Sequence, residues 1–232
     1  RKINIQSNGG LIYGLNSERA WNYGLGLTKT FNLSNTHQLS AFMDYYITNF
    51  KDQVVVDWEN FDQISFYNLE GKSIAKSFHI EIDYSYQNLI NMRLAFKNYD
   101  VKQDYISGYK EKPLLAKNRF FVNIGIESKT TPRGRQWRWD LTFHLVGNQR
   151  LVETIRDDLN SYSPIYSIWN FQLSRAFSKK FEIYLGGENI GNFKQINPII
   201  GSDDPFGMNF DSSQIYGPIF GGMIYAGLRL KV

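Results

Sequence analysis

The last ten residues constrain this chain more than any other stretch. In Met223-Ile224-Tyr225-Ala226-Gly227-Leu228-Arg229-Leu230-Lys231-Val232, the even positions from Ile224 to Val232 are all apolar. The odd positions from 225 to 231 hold Tyr, Gly, Arg and Lys. Strand side chains alternate faces with a period of two. One face of this segment therefore suits hydrocarbon and the other a wet interior.

The same alternation recurs upstream. Phe181, Ile183 and Leu185 oppose Glu182, Tyr184 and Glu188, while Trp169, Phe171 and Leu173 oppose Asn170, Gln172 and Ser174. Trp137, Trp139, Leu141, Phe143 and Leu145 oppose Arg138, Asp140, Thr142 and His144. Phe120, Val122, Ile124 and Ile126 oppose Arg119, Asn123 and Glu127. Phe78, Ile80, Ile82, Tyr84 and Tyr86 oppose His79, Glu81, Asp83 and Ser85. Leu39, Ala41, Met43, Tyr45 and Ile47 oppose Ser40, Asp44 and Thr48, and Trp21, Tyr23, Leu25 and Leu27 oppose Asn22, Gly24, Gly26 and Thr28. In Asn91–Val101, Met92, Leu94 and Phe96 share a face, but Tyr99 and Val101 switch parity, which predicts a β-bulge. These segments predict nine strands.

The predicted connections alternate in length. Short ones fall at Ser34–Thr36, Asn88–Asn91, Thr131–Arg135 and Ser178–Lys180. Long ones fall at Glu59–Ser73, Asp104–Pro113, Gln149–Ser163 and Phe193–Tyr216. Segregation of short turns from long loops marks an outer-membrane barrel, whereas a soluble β-sandwich has no reason to sort its loops this way. Residues 1–18, with Gly9-Gly10 and Asn16-Ser17, read as a loop segment on the extracellular side; residues 19–232 read as barrel.

Composition agrees once read strand by strand. Mean hydropathy is negative, and no run of 18 apolar residues offers a membrane-spanning helix. A barrel strand needs only one apolar face, so its average can look soluble. Lys29 and Arg175 interrupt the lipid-facing rows, each a few residues before a short turn, where an aliphatic stem can snorkel to the interface. Trp21, Trp58, Trp137 and Tyr216 are placed to form interfacial girdles. The absence of cysteine excludes disulfides, thiolate metal sites and a cysteine nucleophile. The net charge of +4 is spread without a basic block, which argues against nucleic-acid binding.

The last third carries a resemblance. Ile183-Tyr184-Leu185-Gly186-Gly187-Glu188-Asn189-Ile190 precedes Asn192-Phe193-Lys194-Gln195-Ile196-Asn197-Pro198-Ile199-Ile200; Pro205-Phe206-Gly207, Phe210-Asp211 and Tyr216-Gly217-Pro218-Ile219-Phe220-Gly221 follow. With Glu18–Gly24, Asn49–Asp57 and Phe66–Ser73, these resemble the barrels of TonB-dependent outer-membrane receptors of the Bacteroidetes type. The resemblance implies the C-terminal strands of a 22-stranded antiparallel transmembrane β-barrel, with a plug and a TonB box contributed by residues before Arg1. Its implied partners are outer-membrane lipid, the TonB complex, the barrel-assembly machinery and a surface lipoprotein. Val232 stands where such barrels usually end in an aromatic residue.

Nothing in the sequence calls for catalysis or a cofactor. Gly24-Leu25-Gly26 lacks the third glycine of a nucleotide loop and reads as relief of crowding on an inner wall. His37, His79 and His144 lie on separate predicted strands. Asp140 and His144 share a face, but residues four apart on a strand lie roughly 13 Å apart, too far for an acid–base pair. Asp157-Asp158 and Asp203-Asp204 could bind calcium but read better as solvated turns. Ligand contacts are expected in the four long loops. The implied function is energised import of a siderophore, cobalamin or another metal complex. A SusC-like importer of glycan or peptide, a passive porin, and a barrel enzyme or adhesin are the alternatives.

Overall fold

The computed structural model describes residues 2–60, 62–154 and 161–231. Among them there is no helix. Twelve strands occur: β1 (Lys2–Ile5), β2 (Arg19–Asn32), β3 (His37–Lys51), β4 (Val54–Asp57), β5 (Gln63–Asn68), β6 (Ser73–Tyr86), β7 (Ile90–Gln103), β8 (Asn118–Glu127), β9 (Gln136–Val146), β10 (Tyr166–Ala176), β11 (Phe181–Glu188) and β12 (Met223–Leu230). Nine of them form one antiparallel sheet in the order β12-β11-β10-β9-β8-β7-β6-β3-β2. These are the nine strands that the alternation predicts.

The register joins the apolar half of each strand into one face. A single row runs through Phe31, Leu39, Tyr84, Met92, Ile124, Leu141, Phe171, Gly187 and Ile224, crossing all nine strands. The adjacent row, on the opposite side of the pleat, is polar: Thr30, Ser40, Asp83, Arg93, Asn123, Thr142 and Asn170. Large side chains of the apolar face are open to the surroundings, including Leu25 (67%), Ile224 (80%) and Leu228 (63%). In water such a face would be an unpaid liability of several hundred Å² or more; against lipid it is the stable arrangement.

Three sequence expectations change. The β6–β7 and β7–β8 ladders run without interruption through Asn91–Val101, so no bulge occurs. The parity switch arises because β7 runs on past the apolar band: Val101 is buried opposite Ala75 on the polar side of the sheet, beneath the long connections. The segment 59–73 is not simply a loop, and neither is 1–18. β1 pairs in parallel with β5, and β5 antiparallel with β4, giving a separate three-stranded sheet. Short apolar runs such as Val54-Val55-Val56 have no long alternation to reveal them. Trp58 and Tyr216 lie beyond the ends of the wall strands rather than on them, whereas Trp21 and Trp137 sit on the apolar face.

All four short connections lie at one end of the large sheet: 33–36, 87–89, 128–135 and 177–180. The long ones, 52–72, 104–117, 147–165 and 189–222, lie at the other end, as do residues 2–18. Of the two flagged cations, Arg175 is placed 4.5 Å over the Trp137 ring and Lys29 5.8 Å from Phe31. Both contacts lie towards the short-turn end, as snorkelling requires.

Candidate functional site: a polar wall under a loop cap

The polar face is built by the same pleat that builds the apolar one, so its side chains must find partners or water. Arg93 donates to Asp83 at 2.6 Å. Glu182 is shared by Arg229, at 3.0 Å, and Arg138. His79 lies 3.5 Å from Asp44. Tyr225 donates to Gln172, and Asn123 to Asp140 and Thr142. Glycines recur where a tyrosine crosses the neighbouring strand. Gly227 pairs with Tyr184 and Gly186 with Tyr225, and a Cβ at either would sit 2.3–2.4 Å from the phenol ring or its oxygen. Gly24 does the same beneath Tyr46, so its part in relieving crowding is real, while Gly26 faces open space. A cavity of about 430 Å³ opens on this face between Asn91, Asp140, Gln172 and Arg229.

The structure does not bring the sequence-flagged groups together. Asp140 lies opposite Gly125 and Gln172, whereas His144 packs edge-on to Phe121, with ring centroids 4.8 Å apart. His37 bonds the Tyr84 hydroxyl at 2.8 Å and stacks on Tyr86. Asp203 and Asp204 are exposed in a turn, with Gly207 N donating to Asp204 O at 2.9 Å. Asp157 and Asp158 lie outside the described residues. Among those described, no group of three His, Asp or Glu is placed to hold a metal.

What sequence reasoning missed is the cap at the long-loop end. The chain's soluble-type core is there: Val55, Tyr67, Leu69 and Tyr105, with Tyr109 against them. A membrane wall one strand thick has lipid on one face and the lumen on the other, so its loops are where a dry core can form. At the centre of the cap lies a buried ion pair, Glu59 to Arg150 at 2.5 Å, with side chains 3% and 6% exposed. Arg150 also donates to Glu111 O at 2.9 Å and lies 4.5 Å over the Tyr109 ring. The other Glu59 oxygen accepts from Glu153 N. Three separate connections thus meet at one guanidinium.

The fourth joins through amides. Gln214 donates to Val152 O at 2.7 Å, Gln149 to Tyr216 O at 3.0 Å, and Gln195 to Gln214 O at 2.8 Å. Asn68 ties in the first segment, donating to Asn16 O and accepting from Asn16 N. Burial pushes the Tyr105 phenol up to about 12 and raises Tyr67 as well, so both stay neutral donors at ordinary pH. Tyr67 donates to Asp57 at 2.8 Å and accepts from Ile106 N. A cavity of about 420 Å³ opens between Tyr109, Arg150, Tyr162 and Gln214. No local pattern links Glu59 to Arg150; only the assembled loops do.

A sheet with one apolar and one polar face, all its long connections at one end and short turns at the other, is the wall of an outer-membrane β-barrel. The family model for "TonB dependent receptor-like, beta-barrel" matches residues 4–190. The chain therefore belongs to the TonB-dependent receptor β-barrel family, whose members are integral proteins of the outer membrane.

Solved structures agree on the fold. The ferric-catecholate import receptor Fiu from Escherichia coli K12 matches with a TM-score of 0.62 and 9% identity, over 97% of this chain and 30% of that one. The siderophore receptor PirA from Acinetobacter baumannii matches at 0.63 and 16% identity, over 97% and 33%. The copper transporter OprC matches at 0.65 and 10% identity, over 92% and 31%. At these identities the likeness is one of fold, and the chain spans about a third of each of those proteins. No curated protein sequence matches the chain.

Proposed function

We propose that this chain supplies barrel wall and external loops to a transporter that draws on the TonB complex to import a scarce metal chelate, such as a ferric siderophore. The observation that carries this reading is the family match over residues 4–190, on a wall whose loops are knit into one cap. Structures of the same fold include a ferric-catecholate import receptor, a siderophore receptor and a copper transporter. The reading needs no catalytic residue. The polar wall and the cap offer hydrogen-bonding groups along an uptake route, which suits a polar chelate.

The test is uptake of radiolabelled ferric catecholate by intact cells carrying the full-length receptor. Accumulation should stop when a protonophore collapses the inner-membrane gradient. Uptake that persists would make the protein a passive porin, and no uptake of any metal chelate, with growth restored on a glycan, would make it a SusC-like importer.

The same reading places the long loops, and residues 1–18, outside the cell. Cysteines at Ser107 and Ser202 are expected to react with an impermeant maleimide on intact cells, and cysteines at Asn35 and Lys179 only after the outer membrane is opened. Equal labelling at all four positions on intact cells would sink the topology.

A further inference from the structure

The short-turn end of the sheet carries a charge asymmetry that the transport reading does not use. The first two short connections, 33–36 and 87–89, hold no charged residue. The other two hold Lys129, Arg133, Arg135, Lys179 and Lys180, and Lys231 follows β12. All six are exposed, and no acidic residue lies in any of the four turns. The nearest carboxylates, Glu127 and Glu182, belong to strands and are engaged by Gln136, Arg138 and Arg229. By contrast, the loop end interleaves its lysines with Glu18, Asp52, Glu70, Asp104, Asp203 and Asp204.

The basic residues form one surface. The third turn closes with Gly134 N donating to Thr131 O at 2.8 Å, and Gly134 adopts φ +79°. It packs so closely on the fourth turn that a Cβ there would lie 2.6 Å from Lys179 N. Lys231 N donates to Lys180 O at 2.9 Å, which brings in the last residue of the group. The surface also continues onto the apolar face. Arg175, half-buried on that face, lies 4.5 Å over the Trp137 ring and 5.8 Å from Phe177. Trp137 stacks on Trp139, and Phe177 on Phe181, at 5.9 and 5.6 Å.

We propose that this end of β8–β12 is a docking surface for anionic glycerophospholipid headgroups of the leaflet that the short turns enter. A phosphodiester with net negative charge fits cations whose side chains have no ion-pair partner among the described residues, and its acyl chains would lie along Trp139, Leu173 and Leu185, which share one row of the apolar face. A soluble anion would match the charge but not the continuity with the lipid-facing row. The leaflet named rests on the topology above, but binding does not: the test below uses purified protein, so it can fail while the cysteine labelling succeeds, and the reverse.

The full-length receptor is purified in maltoside micelles doped with equimolar dioleoyl phosphatidylglycerol and dioleoyl phosphatidylcholine. Lipid retained through gel filtration is quantified by mass spectrometry. At low salt the phosphatidylglycerol ratio should exceed unity by about fivefold or more, as one or two interfacial cations would give, and fall as salt rises. The variant R133Q/R135Q/K179Q/K180Q should bring the ratio close to one. The loop-end control K51Q/K72Q/K112Q/K194Q, which removes the same charge, should leave it unchanged. If the quadruple turn variant does not fold, R133Q/R135Q and K179Q/K180Q are measured separately, each losing part of the preference. Equal loss in the control, no preference in the parent, or preferential retention of lipid A in a three-way mixture would each overturn the proposal.

Discussion

Replacing Glu59 with alanine is expected to unlock the loop cap while leaving the barrel wall assembled. The carboxylate is 3% exposed and holds Arg150 at 2.5 Å. Its removal strands a buried guanidinium whose remaining partners are the Glu111 carbonyl and the Tyr109 ring, plus a backbone contact to Leu151. Breaking one side of a buried pair costs about 3–5 kcal/mol, because the survivor keeps its desolvation penalty without the attraction. The wall does not depend on this contact: its ladders are complete without it. Limited proteolysis of the purified full-length receptor should therefore cut in the connections 52–72, 104–117 and 147–165 far faster than in the parent, with heat-modifiable mobility unchanged. The double variant E59L/R150M removes both charges and should regain most of the resistance, since an apolar pair of similar volume is often as stable. If Glu59→Ala cleaves no faster than the parent, the ion pair is not the fastener of the cap.

The wall was legible in the sequence because a barrel strand solves a one-dimensional problem. Each residue faces either lipid or lumen, and the pleat forces the choice to alternate, so Phe120-Phe121-Val122-Asn123-Ile124 already states its orientation. The cap was not legible because it is a three-dimensional solution. Glu59 and Arg150 come from different connections, Gln214 reaches Val152 from a third, and none of them recurs at a fixed spacing. The strands β1, β4 and β5 are too short for alternation to separate them from loop. The misread at Tyr99 and Val101 has the same origin. The period-two rule names a lipid face only within the hydrocarbon band, and β7 outruns it into the cap, where Val101 is apolar because protein covers it. His37, His79 and His144, which no spacing links in the sequence, lie apart in the fold, each beside a ring or a carboxylate.

Ala226→Arg is expected to block assembly where Arg229→Ala does not, although the two positions lie on one strand. Ala226 pairs with Leu185 in the apolar row, near the middle of β12. An arginine there carries its charge into hydrocarbon, at a cost of roughly 2–4 kcal/mol at the bilayer midplane. Its stem cannot snorkel as Arg175 does: Ala226 stands four residues, roughly 13 Å, from the Leu230 end of β12, whereas Arg175 is the last residue but one of β10. Arg229 is on the other face, 3.0 Å from Glu182, and that carboxylate keeps Arg138 when Arg229 is cut back to alanine. No buried charge is orphaned and the lipid face is untouched, so the expected loss is under about 1 kcal/mol, as for a half-exposed ion pair. The measurement is the heat-modifiable fraction of each full-length variant in purified outer membranes, with urea titration of whatever assembles. A wall that accepts Ala226→Arg and rejects Arg229→Ala would have its faces reversed. One that accepts both would not have hydrocarbon against either face, because water on both sides of a sheet is the condition under which neither substitution carries a large cost.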